Sequence, residues 1–499
     1  MNDVVRRAYS PRGMRRQGSS LCYAFTMGRV RGHRQQLGID ASAPMSTIVS
    51  YCGIWTQHVW IFWINTNNHA LPPSIPWQSL YLVLSLAMIV MGIGCARSTR
   101  TRTEGRGHVR DLAAAAGTSL ATVAVVVSNT VPGLASLAAA ALLIGGIGFA
   151  WLYLEWGVFY SRLDLRQAIA FLFIGGIAAA GVKEALALLP AFASGLLAAT
   201  TPVLSMLMCR RALASPPHAP RAAIHFTAQN ISALWKAVAT FVVFSIANAS
   251  MLSLQPPSAI TETMGVFTGE RALELALCAC VLLYVFKGRR SFDFNQLWRI
   301  VLLLLATDFL VNILYPTSPI QPFFAGVSLN FVVLFVWLVL ADVSRHSDLP
   351  PALVFGIGWS CYTLPFFLGS CIVGMGGFTR ESTGYFAVLM YVVAMVAAFC
   401  LEARDQNTKQ IFLDLNDEAH AAPEDFTSID RRCEALGRQR GLTTREVEVM
   451  QMLCKGRSKA YIAETLFVTE NTVKGHAKRL YTKLDVHSKK ELQQLVDAY

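Results

Sequence analysis

Between residues 458 and 483 the chain sets hydroxyl, lysine and glycine residues at spacings that suit contact with a nucleic acid. Lys474 and Lys478 are four residues apart, hence on one face of a helix, and Gly475 beside Lys474 leaves room for close approach to a base edge. Ser458, Lys459, Thr469 and Thr472 fall at helix starts, where hydroxyls, an ammonium and free backbone amides can bind phosphate oxygens. Lys483, nine residues beyond Lys474, reads as a further phosphate contact on that face. His476 has no carboxylate or second histidine near it, which favours a structural or backbone-contact role over catalysis or metal binding. The eleven cysteines lie mostly in apolar runs without paired Cys-x2-Cys spacing and read as small hydrophobes. No metal, cofactor or enzymatic activity is expected.

A second kind of chemistry is marked by an ionisable side chain inside an apolar run. Asp308 has Asn312 one turn on and Thr307 beside it, so the aspartate and asparagine share a face that could line a pocket or bind a cation or proton. Gln57, His58, Glu155, Asn248, Glu274 and Asn330 also sit within apolar runs, where interhelical hydrogen bonds or solvated helix ends are the simpler reading.

The elements that must position these groups follow from composition. Of 499 residues, 54% are hydrophobic and 15% charged, with a mean hydropathy of +0.44, which excludes a plain cytosolic enzyme. Twelve runs approach the roughly 20 apolar residues that a bilayer-crossing helix needs. They lie near 46–64, 75–96, 111–130, 134–158, 167–187, 191–208, 233–252, 269–286, 297–315, 322–343, 351–373 and 383–401. Alternate loops, starting after the second run, carry fourteen Lys and Arg. The loops between hold only Lys183, Arg271 and Arg380, each with an acidic neighbour. Lys and Arg are retained on the cytoplasmic side, so both termini are expected there, in a cell (inner) membrane. Residues 1–45 read as a basic cytoplasmic tail; no apolar h-region precedes residue 46, so no cleaved signal peptide is expected.

Residues 402–435 read as an acidic linker, and the sign then reverses to basic across 436–499. Thr443 with Glu446, and Ser488 with Glu491, form capping boxes; Ser458 and Thr469 can cap two helices between them. Val447, Met450, Met452 and Leu453 form the first apolar face, and Val473, Ala477, Leu480 and Leu484 recur at helical spacing in the third. Four short helices with a tight turn between the second and third describe a helix-turn-helix DNA binder. The fold class expected is all-α, with a polytopic membrane domain of about 12 transmembrane helices over 46–401 and a small four-helix domain at the carboxyl end.

The run "LTTREVEVMQMLCKGRSKAYIAETLFVTENTVKGHAKRLYTKLDVHSKKEL", residues 442–492, resembles the LuxR-type (GerE-like) helix-turn-helix domain. It matches that pattern at Leu442, Thr443, Arg445, Glu446, Glu448, Val449, Gly456, Ser458, Ile462, Ala463, Leu466, Thr472, Val473, Lys474, His476, Lys483 and Leu484. The resemblance implies double-stranded promoter DNA as partner and assigns base contact to Lys474, Gly475 and Lys478. The fourth helix is similar to the family's dimer surface, which implies a homodimer, although Leu492 and Val496 serve equally well as core. Twelve apolar runs with both ends inside also resemble the major facilitator arrangement of two six-helix halves, with a ligand site near the midplane. The loop after the second run lacks that superfamily's Gly-x3-Asp-x2-Gly-Arg pattern. These features lead to the expectation of a membrane-bound one-component regulator that senses a small-molecule or ionic signal in or across the bilayer. The alternative is a secondary transporter, or transceptor, that carries a regulatory DNA-binding module.

Overall fold

A computed structural model describes residues 37, 39–40, 43–67, 71, 75, 78–97, 104–131, 133–219, 226, 235–253, 264–287, 294–315, 321–376, 388, 391–392, 426–454, 459–466, 468–486 and 488–497. Among them the fold is all-α; an isolated bridge between Phe226 and Ser347 is the one β-type pairing there. The chain divides into two compact units.

The first unit holds α1 (Met45–Tyr51), α2 (Trp55–Thr66), α3 (Ser79–Arg97), α4 (Glu104–Thr130), α5 (Ala135–Tyr160), α6 (Leu165–Ala187), α7 (Ala191–Ala214), α8 (Trp235–Ser253), α9 (Met264–Lys287), α10 (Phe294–Leu314), α11 (Gln321–Arg345) and α12 (Pro351–Gly376). Eleven of the twelve apolar runs thus coincide with helices. The twelfth lies almost wholly outside the described residues, as does the basic tail. Among the described residues seven helices, α3 to α7, α11 and α12, are long and apolar enough to cross a membrane.

The first run is two helices, because the chain turns through Cys52, Gly53 and Ile54. A Cβ on Gly53 would stand 2.7 Å from the Met208 Cβ and 2.8 Å from the Trp156 ring, so only glycine permits the backbone to lie there.

Polarity in this unit is arranged as a membrane requires. Leu112, Leu120, Leu143, Ile144, Leu197 and Leu207 are exposed on α4, α5 and α7, while Gln57, Thr118, Thr122 and Ser205 are buried. The buried groups bind one another across helices: Trp60 Nε1 donates to Thr122 Oγ1 at 2.8 Å, and Ser205 Oγ accepts from Gln57 Nε2 at 2.5 Å and from Trp156 Nε1 at 2.9 Å. With lipid outside, such hydrogen bonds and close packing hold helices together, since burying apolar surface gains little.

The packing repeats with a shift of six runs. Numbering the runs in order, runs 2 and 4 pack as 8 and 10 do, 3 and 4 as 9 and 10, and 1 and 5 as 7 and 11; across the two halves, 2 against 11 matches 8 against 5, and 4 against 11 matches 10 against 5. A pseudo-two-fold that relates runs 1–6 to runs 7–11 produces this pattern among the described residues. The contact of α3 with α12 joins them tightly: a Cβ on Gly356 would lie 2.5 Å from the Met88 carbonyl oxygen, and Ser85 and Thr363 share a hydrogen bond of 2.7 Å.

The second unit holds α13 (Phe426–Gln439), α14 (Thr444–Cys454), α15 (Lys459–Thr465), α16 (Glu470–Leu484) and α17 (Lys489–Asp497). Its core gathers Val449, Met450 and Leu453 with Ile462, Val473, Ala477, Leu480, Leu484, Leu492 and Val496. The deep position on α14 is Val449, while Val447 and Met452 are only half-buried at its edge, which shifts the apolar face from the one expected. Leu492 and Val496 are core residues here. Cys433 and Leu436 of α13 belong to the same core, so residues 426–435, read above as the end of the acidic linker, include most of a helix packed on the module. The rest of that linker, 402–425, lies outside the described residues.

Candidate nucleic-acid interface

The third helix of the helix-turn-helix, α16, starts where a side chain can replace the missing helical acceptor. Thr469 Oγ1 accepts from the Thr472 amide at 3.2 Å and shares a hydrogen bond of 2.8 Å with the Thr472 hydroxyl. Four apolar residues, Val473, Ala477, Leu480 and Leu484, then seat one face in the core. The opposite face is left to solvent: Lys474, Gly475 and Lys478 are exposed, and nothing lies within 4 Å of where a Gly475 Cβ would be. Lys474 Nζ pairs with Glu470 Oε1 at 3.2 Å, both side chains about half exposed, so the ammonium is held near the start of the helix without being buried. Such a ridge, two cations with a side-chain-free position between them, fits a major groove of about 12 Å width.

Three of the expected phosphate contacts are exposed. Thr469 and Thr472 are exposed at the helix start, and Lys459 is exposed at the start of α15. Ser458 lies outside the described residues.

Lys483 is placed differently from the expectation. Nine residues at 100° each amount to two and a half turns, which puts it opposite Lys474 rather than on its face. Its ammonium donates to Glu446 Oε2 at 2.8 Å and to the Gly441 carbonyl at 3.0 Å, joining α16 to the start of α14. Glu446 is the hub of this joint. Its carboxylate also accepts from the Thr443 amide at 2.9 Å, completing the capping box with the Thr443 hydroxyl, and lies 3.7 Å from Arg479 Nε. Burial pushes the Glu446 carboxyl up, but the hydrogen bonds from Lys483 and Thr443 outweigh it and hold the group below its ordinary value. His476 Nδ1 meets Arg479 Nη2 at 3.1 Å on the helix surface.

The end of α16 is set by Asp485, whose φ of 55° is left-handed. There the Val486 amide returns to the Tyr481 carbonyl at 3.1 Å and closes the helix. Ser488 Oγ accepts from the Glu491 amide at 3.1 Å and opens α17.

In the membrane unit, Asp308 is buried on α10 and accepts from Ser328 Oγ of α11 at 3.4 Å. The side chain of Asn312 lies outside the described residues. Among the described residues no group of three or more His, Cys, Asp and Glu could hold a metal ion.

Residues 440–496 match the family of bacterial regulatory proteins of the luxR type. The chain is 45% identical over 51 residues to the oxygen regulatory protein NreC of Staphylococcus haemolyticus, a stretch covering 10% of this chain and 24% of that protein. It therefore spans about a quarter of that relative's length. A crystal structure of a bacterial homologue of the iron transporter ferroportin, outward-facing with soaked iron, aligns with 74% of this chain and 98% of its own at 10% identity and a TM-score of 0.47. The protein thus joins a luxR-family DNA-binding domain to a helical membrane domain.

Proposed function

We propose that the protein is a membrane-bound one-component transcription regulator: the helical body senses a signal, and the carboxyl-terminal module binds double-stranded promoter DNA from the cytoplasmic face of the inner membrane. The observation that carries this reading is the exposed ridge of Lys474, Gly475 and Lys478 on a helix whose other face is core, within a luxR-family domain. Lys474 and Lys478 reach base edges, while Thr469, Thr472 and Lys459 contact flanking phosphates and set the register. Lys483 acts on the fold of the module through Glu446, not on DNA.

A single module of this size binds weakly, and two tethered side by side gain effective concentration for adjacent half-sites. A signal that favours one arrangement of the membrane body changes that pairing by population shift. The loop-charge asymmetry supports a cytoplasmic location for both termini.

The test is retardation of an operator fragment by the purified chain. Lys474→Ala with Lys478→Ala abolishes sequence-specific retardation and leaves membrane insertion unchanged; unaltered retardation would refute the recognition-helix assignment. The six-run repeat of helix packing favours transport as a second activity of the membrane body. Substrate counterflow in proteoliposomes, lost in Asp308→Asn, is its signature.

A further inference from the structure

Lys183 and Arg271 count as loop charges in the sequence, yet the structure buries both. Lys183 of α6, and Glu270, Arg271 and Glu274 of α9, are each at most 5% exposed. Arg271 Nη1 lies 2.9 Å from Glu270 Oε1 and 2.8 Å from Glu274 Oε2. Lys183 Nζ is 3.9 Å from Glu274 Oε1 and donates to Asn330 Oδ1 of α11 at 3.4 Å. The Phe62 ring of α2 lies beneath both cations, 4.9 Å from Arg271 and 5.6 Å from Lys183. The cluster therefore draws on both halves of the repeat. It also lies toward the ends of α2, α6, α9 and α11 that the loop charges assign to the outside.

Two features set it apart from a structural ion pair. Hydrogen-bonding capacity is left over on the cations: an ammonium has three N–H groups and a guanidinium five, yet Lys183 makes one long bond and Arg271 serves both carboxylates through Nη1. One turn before Phe62 on α2, His58 is 9% exposed and has an Nε2 atom with no hydrogen-bond partner. A buried polar atom without a partner costs about 1–3 kcal/mol, and charges inside a membrane domain mark functional positions.

We propose that this cluster is a binding site for a small zwitterion, a solute carrying an ammonium and a carboxylate close together, as an α-amino acid does. The charge balance decides the class. Two cations and two carboxylates sum to zero, so a ligand with a single charge would leave one buried charge unpaired, whereas a zwitterion keeps the balance. Its carboxylate takes the spare N–H groups of Lys183 and Arg271, its ammonium the second carboxylate oxygen of Glu270, and His58 Nε2 completes the shell. Engaging Lys183 loosens its tie to Glu274 and Asn330, the link between the halves. This deepens the reading of the membrane body as the sensing part and rests on it.

The test is equilibrium binding of radiolabelled glycine, L-alanine and L-leucine to the full chain in lipid nanodiscs, with acetate and methylammonium as singly charged competitors. At least one amino acid binds saturably, neither competitor displaces it at equal concentration, and the charge-neutral double variant Lys183→Gln with Glu274→Gln weakens it tenfold or more. His58→Gln, which touches no ion pair, weakens it severalfold and keeps the assay decisive if the double variant does not fold. Absence of saturable binding by all three, displacement by either competitor, or unchanged affinity in the variants overturns the proposal. Operator retardation by the same nanodiscs separates the outcomes: intact retardation without amino-acid binding removes only this site, and absent retardation removes only the DNA-binding reading.

Discussion

Glu446→Gln isolates the charge that joins α14 to α16. The glutamate side chain is 3% exposed, accepts from Lys483 at 2.8 Å and from the Thr443 amide at 2.9 Å, and lies 3.7 Å from Arg479. Glutamine keeps an oxygen for the capping amide, so the loss is confined to the charge-assisted bond. Such a bond contributes about 1.5–3 kcal/mol; Lys483 is 37% exposed and solvent screens the pair, which puts the loss near the low end, about 1.5–2 kcal/mol. Hydrogen exchange of amides in α14 and α16, followed by mass spectrometry on the full chain, reads this as a roughly tenfold to thirtyfold fall in protection at neutral pH. The pH dependence carries the sign. A carboxyl held below its ordinary value stabilises the fold fully above that value, and the contribution is lost as pH falls through the lowered one. Wild type and variant therefore converge on acidification. Equal protection at neutral pH, or a gap that widens in acid, would refute the hub role of Glu446.

Other consequences follow from single positions. Glu470→Gln frees Lys474 from its exposed pair and removes a negative charge beside the phosphates; operator affinity rises about threefold, as an exposed pair worth about 0.5–1 kcal/mol implies, and no change would place Lys474 away from the DNA. Asp485→Gly relieves a left-handed residue at the end of α16 and stabilises the module by about 0.5 kcal/mol, after the greater freedom of glycine in the unfolded chain is deducted, which a raised thermal midpoint reads. Gly356→Leu drives a side chain into the Met88 carbonyl at the contact of α3 with α12; it costs about 1–3 kcal/mol and lowers the thermal midpoint of the detergent-solubilised chain.

What could be read from sequence alone was whatever is local. The caps at Thr443, Thr469 and Ser488 lie within four residues of the amides they bind, and hydropathy over about 20 residues located eleven runs that fold as helices. What failed depends on distant partners. The break at Gly53 is decided by Trp156 and Met208, more than a hundred residues away. The ion cluster joins α6, α9 and α11, and only the i, i+4 spacing of Glu270 and Glu274 within an apolar helix hinted at it. Lys483 differs, because helical periodicity by itself places it half a turn from Lys474. Helix α13 was hidden by the acidic residues around it, although Cys433 and Leu436 are spaced to share one buried face.

The central claim is that a module held at the membrane reads DNA. Crosslinking whole cells, isolating the membrane fraction and sequencing the DNA recovered with the chain tests it directly. Discrete promoter fragments are enriched with the wild-type chain and absent with Lys474→Ala and Lys478→Ala, at equal amounts of membrane-inserted protein. Recovery of no specific DNA from the membrane fraction, or the same fragments with the double variant, would contradict it.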